Sequence, residues 1–126
     1  MQITAAAVSL TVDRVEPSAA FLTSHFGFRE EMAADGFASL AREGAPNVVF
    51  LRRGLQALPA DFRDQHAAGV ILAFVVTDLA AEHDRLRAAG VPITMELREE
   101  PWGERLFQVT DPNGVIVQLV EWAATE

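Results

Sequence analysis

Two stretches of the chain carry the same order of hydrophobic and polar positions. Residues 7–28, AVSLTVDRVEPSAAFLTSHFGF, run from a β-rich segment through a polar joint into an amphipathic segment ending at a glycine. Residues 69–91, GVILAFVVTDLAAEHDRLRAAGV, follow the same plan, with Val12 matching Val76 and Gly27 falling near Gly90. The amphipathic parts repeat at helical spacing. Ala19, Leu22 and Phe26 share one face, and so do Leu79, His83 and Leu86. Asp78 and Glu82 form an N-terminal capping signal displaced by one residue, and Pro17 suits a first helical turn. Gly27 and Gly90 stand where C-terminal caps belong.

Each predicted helix is followed by three β-like pieces. In the first half these cover 28–32, 37–42 and 48–53; in the second they cover 93–98, 105–110 and 115–121. DPNG at 111–114 predicts a type I turn between the last two, with Pro112 at its second position. Both halves therefore read βαβββ. The expectation is a single α+β domain over 1–126, with modules at about 1–54 and 69–126 and a connecting loop at about 55–68.

Composition narrows the chemistry. The longest apolar run, Val70 to Val76, is too short to span a bilayer, and the N-terminus has no basic leader. A cytoplasmic location is expected. There is no cysteine, so disulfides, thiolate metal sites and cysteine nucleophiles are excluded. All ten basic residues are arginine and tyrosine is absent, which removes Schiff-base chemistry and tyrosine general acids. Three histidines and the carboxylates remain for proton transfer. The net charge of −8 disfavours nucleic acid and anionic membrane as partners and suits a cationic small ligand.

The segment PWGERLFQVTDPNGVIVQLVEW, 101–122, together with the doubled βαβββ plan, resembles the vicinal oxygen chelate superfamily. That superfamily includes glyoxalase I, extradiol dioxygenases, thiol-transferring fosfomycin resistance enzymes and bleomycin resistance proteins. PWG leading into the final hairpin is most similar to the bleomycin-resistance type. The resemblance covers essentially the whole chain and implies that two modules build a cupped mixed sheet with the site inside the cup. It also implies a homodimer with ligand clefts shared between subunits. Metal-dependent members carry a ligand on the first and last strand of each module; by the repeat register those positions fall on Ala7, Phe50, Ile71 and Gln118. Divalent metals need imidazole or carboxylate there, so neither a metal nor any other cofactor is expected. The spacing of His25, His66 and His83 fits no metal motif. His83 and His25 read as packing residues on their helices, and His66 as part of a solvated loop.

Strand alternation then nominates a pocket lining. Ala7, Ser9 and Thr11 form one wall, Ile71, Ala73 and Val75 another, Val48 and Phe50 a third, and Ile116, Gln118 and Val120 the last. The resemblance makes Trp102, Phe37 and Phe50 the stacking set, with Glu104 and its neighbours Glu96, Glu99 and Glu100 favouring a planar or cationic guest. No catalytic residue is assigned. The expected function is metal-free binding that sequesters an aromatic or cationic compound, as in antibiotic resistance or self-protection. Two alternatives stand beside it: a metal-independent lyase or isomerase using carboxylates such as Glu104 or Glu121, and a scaffold whose cup is filled by its own side chains.

Overall fold

A computed structural model describes residues 1–123 of the chain. Its backbone forms two compact units, one ending at Ala68 and the other beginning at Gly69. Among the described residues each holds one α-helix and one four-stranded mixed sheet, an α+β arrangement, and the first also has a 3-10 turn at Ala60–Phe62.

The first unit runs β1 (Ala7–Val12), α1 (Val15–His25), β2 (Arg29–Ala34), β3 (Phe37–Ala41) and β4 (Asn47–Arg52). The strands lie in the order β1-β4-β3-β2, with β1 parallel to β4 and the other pairs antiparallel. α1 packs on β2, β3 and β4. It presents Val15, Ala19, Phe21 and Leu22 to a core that also holds Leu10, Val12, Ala38, Leu40, Val48 and Phe50. Edge strand β2 (REEMAA) is exposed along its whole length and bulges between Glu30 and Met32. Charge and a bulge both discourage further strand pairing at such an edge. Asp35, in the turn after β2, takes a hydrogen bond from Arg52 of β4 at 2.8 Å, which holds its carboxyl below the usual carboxylate range. The segment after β4 belongs to this unit: Leu58 is buried, and the Ala67 N–H donates to the Thr11 carbonyl at 2.7 Å.

The second unit repeats the plan with β5 (Ile71–Val75), α2 (Leu79–Ala88), β6 (Ile93–Glu99), β7 (Glu104–Thr110) and β8 (Ile116–Trp122), in the sheet order β5-β8-β7-β6. Asp78 is the N-cap of α2, its carboxylate accepting from the Ala81 N–H at 3.2 Å. Gly90 ends the helix at a φ of 80°, and the Val91 N–H reaches back to the Leu86 carbonyl at 3.0 Å. Residues with a Cβ are strained at such a left-handed φ, so glycine at this position favours the turn back into β6. Leu79, His83 and Leu86 are the buried residues of α2, as their spacing predicts. The His83 ring meets Phe107 edge-on, with centroids 5.0 Å apart, and its Nε2 lies 3.2 Å from Glu96. His25 packs in the same way on Phe21, at 5.4 Å. His66 Nδ1 lies 3.0 Å from the Ala67 carbonyl. Among the described residues, no helix is long and apolar enough to cross a membrane.

Candidate functional site

In the second unit α2 covers one face of the sheet, and strand register assigns every side chain to that face or to the other. Phe107 touches His83, so its row faces the helix. That row holds Val109, Val117, Leu119, Leu72 and Phe74. The alternate row forms the opposite face: Ile71 pairs with Ile116, Ala73 with Gln118 and Val75 with Val120. Across the final hairpin Thr110 pairs with Ile116, Gln108 with Gln118, Leu106 with Val120 and Glu104 with Trp122. Cross-strand partners project on the same side of a sheet, so these residues form one surface.

That surface carries a continuous polar row. Glu104 Oε1 accepts the indole N–H of Trp102 at 3.1 Å, and Glu104 Oε2 accepts from Gln118 Nε2 at 3.4 Å. Gln118 Oε1 in turn accepts from Gln108 Nε2 at 2.8 Å. Farther along, the hydroxyls of Thr94 and Thr110 lie 2.8 Å apart. Two tryptophans stand at the Glu104 end. Trp102 is 65% exposed in the turn before β7, and Trp122 is 52% exposed at the end of β8. The backbone brings them to the same end of the sheet, because the Ala123 N–H donates to the Gly103 carbonyl at 2.8 Å. Aromatic area, an ionisable acceptor and two amides on one surface can hold a planar polar guest.

Trp102, Glu104 and Gln118 are thus joined by direct hydrogen bonds, and Ile71 lies on the same face two strands from β7. Ser9 and Phe37 occupy the corresponding face of the first unit. There Ser9 pairs with Val49, Val49 with Ser39, and Leu51 with Phe37. Phe50 does not belong with them. It pairs with Leu10 and Ala38, is 1% exposed, and lies with Val48 in the core on the opposite side of its sheet. A ring in that position cannot stack on a guest held by Ser9 or Phe37. The sequence reading also passed over Trp122 and Gln108, although both fall on the row that Gln118 defines.

Among the described residues, the positions where the superfamily resemblance implies metal ligands hold no fitting donor set. Ala7 and Ile71 cannot coordinate, and Gln118 spends its amide oxygen on Gln108. Phe50 faces away, and Val49, which shares the face with Ser9, offers no donor either. Among the described residues, no three of His, Cys, Asp or Glu converge on a metal-holding point. Glu121 is drawn to the helix side, where its carboxylate lies 3.3 Å from Arg105 and accepts the Leu79 N–H at 3.4 Å.

Several crystal structures share this fold. One from Nocardioides, a glyoxalase/bleomycin resistance protein/dioxygenase, aligns with a TM-score of 0.76 at 20% identity, covering 100% of this chain and 87% of its own. TioX from Micromonospora sp. ML1 aligns at 0.72 with 24% identity over 94% of this chain and 98% of its own. A lactoylglutathione lyase from Agrobacterium tumefaciens aligns at 0.73 with 18% identity over 92% and 91%. At such identities the likeness establishes the fold alone. No curated protein is significantly similar in sequence. A family model, in contrast, matches residues 4–119. With the doubled βαβββ plan and the two mixed sheets, that match places the chain in the glyoxalase/bleomycin resistance protein/dioxygenase superfamily.

Proposed function

We propose that this protein binds and sequesters a small aromatic or cationic compound without a metal and without covalent chemistry, in the manner of antibiotic resistance or self-protection. The observation that carries this reading is the Trp102–Glu104–Gln118–Gln108 row, with exposed indoles beside a carboxylate on the face of the sheet opposite α2. Indole faces attract planar cations through dispersion and the ring quadrupole, and a neighbouring carboxylate adds charge of the right sign.

The lactoylglutathione lyase likeness raises a second reading, a metal-independent lyase or isomerase on the same fold. Such chemistry needs a proton donor and acceptor at the reacting atoms. Among the described residues, Glu104 has only Gln118 and the Trp102 indole as side-chain hydrogen-bond partners, neither of which titrates, and Glu121 is engaged beside α2. This favours holding a guest over transforming it.

Trp102→Ala tests the site. It is expected to weaken binding of an aromatic cation by roughly 1–3 kcal/mol, read by titration calorimetry. Folding stability is expected to change by less than about 1 kcal/mol, because the indole is largely exposed. A variant that loses several kcal/mol of stability while its folded form keeps the parent affinity makes the indole a packing residue and removes the site.

The working form in this reading is a cytoplasmic homodimer with clefts shared between subunits; two-fold pairing is the commonest assembly for a soluble chain of this size. Sedimentation at micromolar concentration is expected to give twice the monomer mass. A monomer there would confine the ligand to one chain.

A further inference from the structure

The hydrogen-bond row has a direction, and the direction selects a ligand. An ionised carboxylate only accepts hydrogen bonds, whereas a primary amide has a donating end and an accepting end. Glu104 therefore fixes the orientation of everything bonded to it. Gln118 turns its NH2 toward Glu104 and its oxygen toward Gln108, and Gln108 must answer with its own NH2. The Gln108 Oε1 is left as an acceptor with no partner among the described residues, on a half-buried side chain in the middle of the face. Glu104 itself receives two donors on its two oxygens and retains lone pairs for more. The open acceptors of this row all want N–H or O–H groups.

We infer that the face of the second unit opposite α2, at its exposed Trp102 and Trp122 end beside the buried Leu106 and Val120, recognises planar aromatic cations through their N–H donors, as in amidinium or guanidinium groups, and discriminates against cations that carry no N–H. This rests on the binding reading proposed above and sharpens it. Charge and ring stacking alone would take a quaternary ammonium equally well, since both attractions depend on charge and ring area rather than on donors. The row adds a requirement that such a cation cannot meet: its approach covers the Gln108 oxygen and the Glu104 lone pairs without pairing them. Covering an acceptor without replacing its hydrogen bond carries a desolvation cost, and this is the usual source of strong discrimination between similar ligands. An anion is rejected more simply, by Glu104.

The test uses the intact protein and three probes of similar size, benzamidine, phenyltrimethylammonium and benzoate, titrated at millimolar concentration and followed by tryptophan fluorescence and by chemical-shift changes. Benzamidine is expected to bind at least tenfold more tightly than phenyltrimethylammonium, and benzoate not at all. Gln108→Met, which keeps side-chain length while deleting both the Oε1 acceptor and the NH2 that pairs with Gln118, is expected to lower benzamidine affinity about tenfold and to narrow the preference to within threefold, with an unaltered circular dichroism spectrum. Glu104→Gln, whose amide can point either way and so releases the direction of the row, is expected to act in the same sense. Equal affinity for the two cations overturns the donor requirement while leaving sequestration standing. Binding of benzoate in preference to both, or of none of the three, overturns both readings. A Gln108→Met protein that is folded and keeps the full preference overturns the assignment to this row.

Discussion

Phe107→Ala is expected to destabilise the protein by roughly 3–5 kcal/mol, read as a fall in the urea midpoint with an unchanged slope. Phe107 is fully buried on β7, paired with Leu119 across the sheet and in T-shaped contact with the His83 ring. Removing the phenyl group deletes apolar burial and leaves a void between a helix and three strands, which backbone hydrogen bonding keeps from collapsing. His83 also loses its T-shaped aromatic contact, and a buried polar ring without that contact is costlier to keep. Phe107→Leu is expected to cost about a third as much, since it restores most of the volume. A loss below about 1.5 kcal/mol for the alanine variant would mean that α2 resettles onto the sheet, and the helix-facing row would then be softer than its burial implies.

The contrast between Phe107 and Trp102 shows what the sequence could and could not disclose. Both helices were legible because apolar spacing, the Asp78 cap and the terminal glycines all agree, and such agreement between levels is what makes a local assignment safe. Strand existence was legible too, with ends displaced by a residue or two. The face of a strand is another matter. β8 reads IVQLVEW, and one polar residue, Gln118, fixes its phase. β4 reads NVVFLR, and its apolar run VVFL fits either phase equally well. Only pairing with β1 decides it, by setting Phe50 beside Leu10. A register borrowed from the superfamily therefore sets Phe50 on the face where the structure has Val49, while Gln118 lies on the face opposite α2. The polar row was available in principle. Counting outward from DPNG as a three-residue hairpin loop sets 108 opposite 118 and 104 opposite 122, which joins Gln108 to Gln118 and brings Trp122 beside Glu104.

That count depends on Asp111, and Asp111→Ala is the second large effect expected. Asp111 is 6% exposed, and its Oδ1 accepts two backbone N–H groups, from Asn113 and from Val115, each at 2.8 Å. Its own backbone closes the same loop: the Asp111 N–H donates to the Val115 carbonyl at 2.8 Å, and its carbonyl accepts from the Gly114 N–H at 2.9 Å. The side chain thus satisfies two backbone donors of a tight loop. Hydrogen bonds to a charged acceptor contribute about 1.5–3 kcal/mol each, so alanine is expected to cost roughly 2–5 kcal/mol in urea denaturation. Asn keeps an oxygen at the Oδ1 position and is expected to cost about 1 kcal/mol, because the geometry survives and only the charge assistance goes. The consequence reaches the candidate site, two residue pairs away. Ile116 opposite Thr110 is the first pair after the turn, and Gln118 opposite Gln108 is the next on that face. A loop relaxed by one residue shifts every later pair and would send the Gln118 side chain toward α2. Nitrogen-15 spectra of the folded fraction of Asp111→Ala should therefore show perturbed amides as far as Gln118 and Trp122, whereas those of Asp111→Asn should overlay the parent beyond residue 116. If alanine and asparagine variants match the parent in stability, the turn is held by its backbone and Pro112 alone, and the register that builds the polar row does not depend on this carboxylate.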